Sequence, residues 1–205
     1  MNLTASGAYE NATEPDMFEG LSIEGYAIVS RNGMLAGEDG LMPNSLKFYE
    51  DQKFLDEEMD RAALLIHGRK SHEGQDNSHK RKRLLLTRAV APFTMTQIEP
   101  NTWLWNPQQT PFSKVCKALG VVSGLVAILG GTAAYDLFLP HYAKFHLALA
   151  ARVDLPNGVP VFSAVRDGNP PAAVLQEAGL KLADQAHIDP DILLKLTFVR
   201  EREVV

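Results

Sequence analysis

A chain of 205 residues with 45% apolar content is long enough to bury one full core, and its formal charge of −5 supplies no general attraction to nucleic acid. The longest apolar runs, 121–129 and 145–151, are too short to span a bilayer. Cys116 is the only cysteine, which excludes an intrachain disulfide, and the opening MNLTASGAYENATEPDMFEG lacks the basic-then-apolar order of a signal peptide, so a soluble protein of the reducing cytoplasm is expected.

Residues 1–20 mix Asn, Thr, Glu, Pro and Gly without periodicity and read as a surface arm or a partly disordered segment, ahead of one domain over 21–205. SIEGYAIVS (22–30) is a strand closed by the turn signal Asn32-Gly33, and a glycine-rich loop follows. SLKFYEDQKFLDEEMD (45–60) places Leu46, Phe48, Tyr49, Phe54, Leu55 and Met59 against acids on the other face, as an amphipathic helix requires, with Ser45 as its expected N-cap. AALLIHG (62–68) and RLLLT (83–87) are continuous apolar runs that fit a parallel sheet covered on both faces. TWLW (102–105) is a short strand, 111–120 a helix closed by Gly120, LVAIL (125–129) a strand, and 132–139 a helix. KFHLALAARVDL (144–155) and ILLKLTFVRE (192–201) read as final strands, the second alternating as an antiparallel or partly exposed strand would. The alternation predicts an α/β fold with an antiparallel C-terminal addition.

Chemistry concentrates where strands end. LVAIL runs into Gly130-Gly131 and a helix start, where bare N–H groups and the helix dipole favour an anion; a plain tight turn is the competing reading. ALLIH ends in Gly68-Arg69-Lys70-Ser71, and RLLLT in Thr87-Arg88. Ligands of α/β sheets gather outside strand carboxyl ends, and three of those ends offer phosphate-binding groups.

These stretches together resemble the dihydrofolate reductase superfamily, which includes the reductase domains of riboflavin biosynthesis. AIVSRNGMLAGEDGLMP is similar to the family's first strand and mobile loop, IHGRKSHE to its Gly-Arg-Lys-Thr element, LLLTR to its Leu-Ser-Arg element, LVAILGGTAAYDLFLP to its Gly-Gly-x-x-x-Tyr element, and NGVPVF to its Gly-Asp-Thr-x-Phe loop. The resemblance covers roughly 22–200 and implies a three-layer, mostly parallel central sheet with antiparallel C-terminal strands. It also implies NADPH, held by Leu35 and Ala36 of the loop, by Gly68, Arg69, Lys70 and Ser71, by Thr87 and Arg88, and by Gly130, Gly131, Thr132 and Ala133, with Tyr135 near the nicotinamide.

The substrate half departs from the family. Leu41-Met42-Pro43-Asn44 stands where dihydrofolate reductases have Leu-Pro-Trp, and Ala148 where they have a threonine. FYEDQKF resembles their Pro-Glu-Asp-Leu-Lys-Phe, which makes Asp51 the better match for the catalytic acid and Glu50 the neighbour one register away. Asp51, with Ile28, Phe54, Leu55 and Ala148, would line the substrate pocket. A partly buried carboxylate there can take the paired hydrogen bonds of an amidine-like edge in an aminopterin or aminopyrimidine.

His67 reads as a strand-end histidine bonded to backbone, and the histidines show no metal-ligand spacing. The basic run His79 to Arg83 reads as a turn near the adenine phosphate or a solvated loop ahead of a nucleic-acid contact. Cys116 reads as a small apolar side chain, and Trp103 and Trp105 as core or pocket wall. The expectation is an NADPH-dependent reductase of a pterin, aminopyrimidine or related heterocycle, monomeric or homodimeric, with neither nucleic acid nor membrane as partner. The alternative is a nucleotide-binding module of the same fold without turnover, or one that meets a partner through the basic run.

Overall fold

The computed structural model describes residues 20–69, 78–91, 94–167, 169–189 and 192–201. The expected arm lies outside these residues apart from Gly20, as do Lys70 and Ser71. In chain order the strands are β1 (Leu21–Ser30), β2 (Met34–Ala36), β3 (Leu64–Gly68), β4 (Arg83–Leu86), β5 (Met95–Glu99), β6 (Thr102–Trp105), β7 (Gly124–Gly130), β8 (Lys144–Ala150), β9 (Val159–Pro160), β10 (Leu180–Asp189) and β11 (Leu193–Arg200). The helices are α1 (Tyr49–Arg61), α2 (Phe112–Leu119), α3 (Thr132–Phe138) and α4 (Pro171–Glu177).

Nine strands form one sheet in the order β10-β11-β8-β1-β7-β3-β4-β6-β5. The six central strands from β8 to β6 are mutually parallel, while β5 and β11 run antiparallel to the strands they flank. The apolar runs explain the centre: Leu64, Leu65 and Ile66 of β3 are all fully buried, because both faces of the sheet are covered. One face carries the main core, with Val126 and Ile128 of β7 against Tyr135 and Phe138 of α3 and Phe112, Val115 and Cys116 of α2. The other face packs beneath α1, where Tyr26, Leu65 and Ala127 meet Phe54, Leu55 and Met59. The fold class is thus the expected one, a mostly parallel α/β sheet with an antiparallel C-terminal strand.

Several boundaries differ from the sequence reading. The helix expected from Ser45 begins at Tyr49, and Ser45 caps nothing: Asn44–Leu46 is a single 3-10 turn, after which Lys47 and Phe48 are extended. Leu46, 1% exposed, is drawn into a cluster with Ile28, Ala148, Ala150 and Leu193, and that anchor delays the helix. Gly120 does close α2, in a left-handed conformation with its N–H donated back to Cys116 and Lys117. The strand from Lys144 ends at Ala150, five residues early, and β5, β10 and α4 were not read from the sequence at all.

Candidate active site

The site starts from a separation of two strands. β1 and β7 pair from Leu21↔Gly124 to Gly25↔Ile128 and stop there, although β1 continues to Ser30 and β7 to Gly130. At Gly25, the last paired residue, a Cβ would lie 2.3 Å from the Phe145 ring, so any larger residue would push β8 away. The next carbonyl, that of Tyr26, accepts the Tyr135 hydroxyl at 2.5 Å, which satisfies two buried groups at once. Tyr135 is 1% exposed, and burial together with the charge of Asp51 raises its hydroxyl above the ordinary tyrosine range. The Tyr135 side chain is thus part of the core, with its hydroxyl bonded to β1 at the point where β1 and β7 part.

On one side of the separation lie β7, β3 and β4, neighbours in the sheet and parallel. Their carboxyl ends bring Gly130-Gly131, Gly68-Arg69 and Thr87-Arg88 side by side. A Cβ on Gly68 would lie 3.8 Å from the Gly130 carbonyl, one on Gly131 would meet nothing within 4 Å, and Gly130 and Gly131 adopt φ of +125° and +35°, which suits glycine. Helix α3 follows with no side-chain cap, and Ala133 in its first turn is exposed. The Thr132 hydroxyl donates to the Pro160 carbonyl, so only its backbone N–H remains for an anion. Arg69 and Arg88 are exposed; Thr87 is buried and its hydroxyl accepts from the Ala89 N–H. β2 pairs with β9 as a separate two-stranded ribbon, Ala36 against Val159, tied to α3 through the Thr132 bond. Within it Ala36 is buried and Leu35 packs against the main core, so their side chains face inward and leave backbone to the cleft. Open glycine backbone, an uncapped helix start and two exposed guanidiniums fit the phosphates of a dinucleotide.

On the other side of the separation, β1, β8 and β11 present aligned rows to α1: Tyr26, His146 and Thr197, then Ile28, Ala148 and Lys195. Asp51 faces this surface from the first turn of α1, whereas Glu50 beside it is exposed, which removes Glu50 from the site. Burial pushes the Asp51 carboxyl up to about 6 against the opposing pull of Lys195, and no donor among the described residues reaches its oxygens. Phe54 and Leu55 are half-buried over Tyr26, Leu65 and Ala127, and Ile28 and Ala148 sit in the adjoining cluster with Leu46. Lys195, absent from the sequence reading, lies with its Nζ 2.9 Å from the centre of the Phe54 ring. Burial lowers its pKa, opposed by Asp51, Glu58 and Asp184. Behind these groups Tyr26 donates to Glu24 and Glu58 and stacks on His146. Burial alone would raise Glu24, but its bond with His146 and the Lys144 charge bring it down to about 2.

His67 does bond backbone, its Nδ1 lying 3.0 Å from the Gly68 carbonyl. The basic run sits at the amino end of β4, the opposite end of the sheet from Thr87-Arg88, so it is not near the expected phosphates. There Arg81 pairs with Asp60, Lys82 donates to the Leu119 carbonyl and Arg83 pairs with Glu99. The open groove bounded by Met59, Asp60 and residues 80–82 lies at that same end. Trp105 is core, with its indole N–H on the Thr110 carbonyl, and Cys116 is buried, its thiol pushed up to about 12 by burial. No helix among the described residues is long and apolar enough to cross a membrane.

No protein-family model and no curated protein matches the sequence. Solved structures do match in shape. A pyrimidine reductase-like protein from Corynebacterium diphtheriae superposes with a TM-score of 0.62 at 14% identity, over 95% of this chain and 97% of that one. Dihydrofolate reductase from Enterococcus faecalis, complexed with NADP(H) and RAB-propyl, gives 0.58 at 14% identity over 90% and 99%. A diaminohydroxyphosphoribosylaminopyrimidine deaminase/5-amino-6-(5-phosphoribosylamino)uracil reductase from Thermotoga maritima gives 0.62 at 13% identity over 89% of this chain and 57% of its own. The chain has the dihydrofolate reductase-like fold.

Proposed function

We propose that the protein is an NADPH-dependent reductase of a flat heterocycle that carries an amidine-type N–C–N edge, in the range of aminopyrimidines and pterins. The observation that supports this best is Asp51: a half-buried carboxylate with no donor among the described residues, its pKa raised by partial burial, facing the side of the sheet beyond the β1–β7 separation. Desolvation makes such a carboxylate a better acceptor for a ligand than a surface acid, and an N–H edge supplies two donors. The similar structures, a dihydrofolate reductase complexed with NADP(H) and an aminouracil reductase among them, agree with this reading at the level of fold.

In this reading Gly130, Gly131 and the N–H groups of Thr132 and Ala133 hold the diphosphate, while Arg69 and Arg88 meet the 2′-phosphate. NADPH, when bound, supplies the hydride. Asp51 accepts from the ring N–H edge, holds the ring in place, and with a pKa of about 6 retains a proton in part of the population near neutral pH. Ile28, Ala148 and the Phe54 ring exclude water from the reacting face. Ala148 replaces a hydroxyl of the standard dihydrofolate site, so dihydrofolate is expected to turn over poorly.

The test is NADPH oxidation followed at its absorbance maximum over a panel of aminopyrimidines, aminouracils and pterins, beside direct measurement of NADPH and NADH affinity. Substrate-dependent oxidation with NADPH preferred is the expected result. Tight NADPH binding with no turnover across the panel would favour a nucleotide-binding module instead.

A further inference from the structure

Lys195 stands opposite Ala148 across β11 and β8, and Ala148 opposite Ile28 across β8 and β1. The three share the sheet face that α1 covers, in the row that borders Asp51. The Lys195 ammonium rests on the Phe54 ring, three residues and just under one helical turn beyond Asp51. Asp51 and Lys195 feel each other's charge yet form no ion pair, so a carboxylate and an ammonium stand near the same sheet face without being joined. An ammonium on an aromatic face gains less than one bonded to an oxygen, so a ligand oxygen within its reach would draw Lys195 off the ring.

The surrounding charges narrow what that oxygen belongs to. Asp51 and Glu58 of α1 and Asp184 of β10 all act on the Lys195 ammonium, and Glu24, Lys144 and His146 form a further cluster along the same face. Three carboxylates around one ammonium repel a phosphate dianion, whereas an uncharged ring oxo oxygen incurs no such repulsion.

We propose that Lys195 is a specificity-determining residue of this pocket, donating to the oxo oxygen of a flat amino-oxo heterocycle whose N–H edge is accepted by Asp51. The inference rests on the reading of the Asp51 pocket as a substrate site and deepens it. It makes the substrate a lactam-type ring such as a 2-amino-4-oxo or amino-uracil ring. A 2,4-diamino ring would present N–H donors to an ammonium and be disfavoured.

Isocytosine and 2,4-diaminopyrimidine differ at one ring position, oxo against amino, and the diamino ring is also the more basic, so the change in their affinity ratio on replacing Lys195 isolates the contact. Their affinities would be measured by NMR titration, with and without saturating NADPH, for the native protein and for Lys195→Met, Lys195→Arg and Asp51→Asn, with thermal melts to establish folding. Relative to Lys195→Met, the native protein is expected to favour isocytosine over the diamino ring by about tenfold or more. Lys195→Met should erase that preference, Lys195→Arg should retain it, and Asp51→Asn should weaken both probes. Equal weakening of both probes by Lys195→Met, or no effect on either, overturns the inference. If Asp51→Asn still weakens both in that case, the pocket reading survives without Lys195. If neither probe binds the native protein under either condition, both readings fall. Should Lys195→Met fail to fold, Lys195→Leu takes its place in the same comparison.

Discussion

The two sides of the β1–β7 separation are built from different materials. Toward β7, β3 and β4 the surface is mostly backbone: Gly130, Gly131 and Gly68, an uncapped helix start, and arginines that project into solvent. Toward β8 and β11 the surface is side chains under partial burial, and two of them, Asp51 and Lys195, have pKa values displaced in opposite directions by desolvation. Gly130 and Gly131 hold left-handed backbone that suits glycine, and a surface built of backbone writes short contiguous motifs into the chain. A side-chain pocket assembled from β1, α1, β8 and β11 draws single residues from positions 28, 51, 148 and 195, and no local pattern marks them.

The largest effect expected from breaking this asymmetry is on the side-chain half. Asp51→Asn keeps shape and removes charge; turnover of the best substrate should fall by roughly a hundredfold or more, with NADPH affinity unchanged. Glu50→Gln, one position away and exposed, should leave both intact. Comparable losses in the two variants would show that α1 acts through its overall charge and that no single carboxylate faces the ring.

On the backbone half the effect is smaller and selective for the cofactor. Arg69→Ala should weaken NADPH by about tenfold, the scale of one exposed charge-assisted contact, and leave NADH nearly unchanged. A parallel loss for both cofactors would assign Arg69 to the loop's structure.

The same asymmetry explains what the sequence disclosed. β3, β4 and β7 followed from apolar runs that a doubly covered sheet accommodates, and their ends carry the Gly130-Gly131, Gly68-Arg69 and Thr87-Arg88 pairs. β10 escaped because positions 181–187 are all exposed; an edge strand with little to bury carries no apolar signature. The bond of the Tyr135 hydroxyl to β1 was not legible, because the motif fixes its position along the chain and says nothing of where its hydroxyl goes, and the answer depends on β1 and β7 parting after Gly25. Lys195 was the hardest to see. Its strand alternates, and a lysine at an inward position of β11 can be told from an outward one only once the register places it opposite Ala148.

The smallest expected effect, on stability, separates two carboxyl groups on the same face of the sheet. Asp51 is raised from 3.8 to about 6, so between those values the folded protein holds a proton that the unfolded chain has lost. Stability should therefore fall as pH rises from about 4 to 6 and level off above, a cost of roughly 1–2 kcal/mol after allowance for partial exposure. Asp51→Asn removes that slope and should be more stable than the native protein at pH 7.5 while matching it near pH 4. Glu24 has the opposite sign: lowered from 4.5 to about 2, it stabilises the fold above 4.5, and that contribution is lost as pH falls through this interval. Denaturant unfolding from pH 3 to 8 for the native protein, Asp51→Asn and Glu24→Gln would resolve the two slopes. An Asp51→Asn protein with no gain at pH 7.5 would mean that water already solvates the carboxylate, and the pocket would then offer its ligand no more than an ordinary surface acid does.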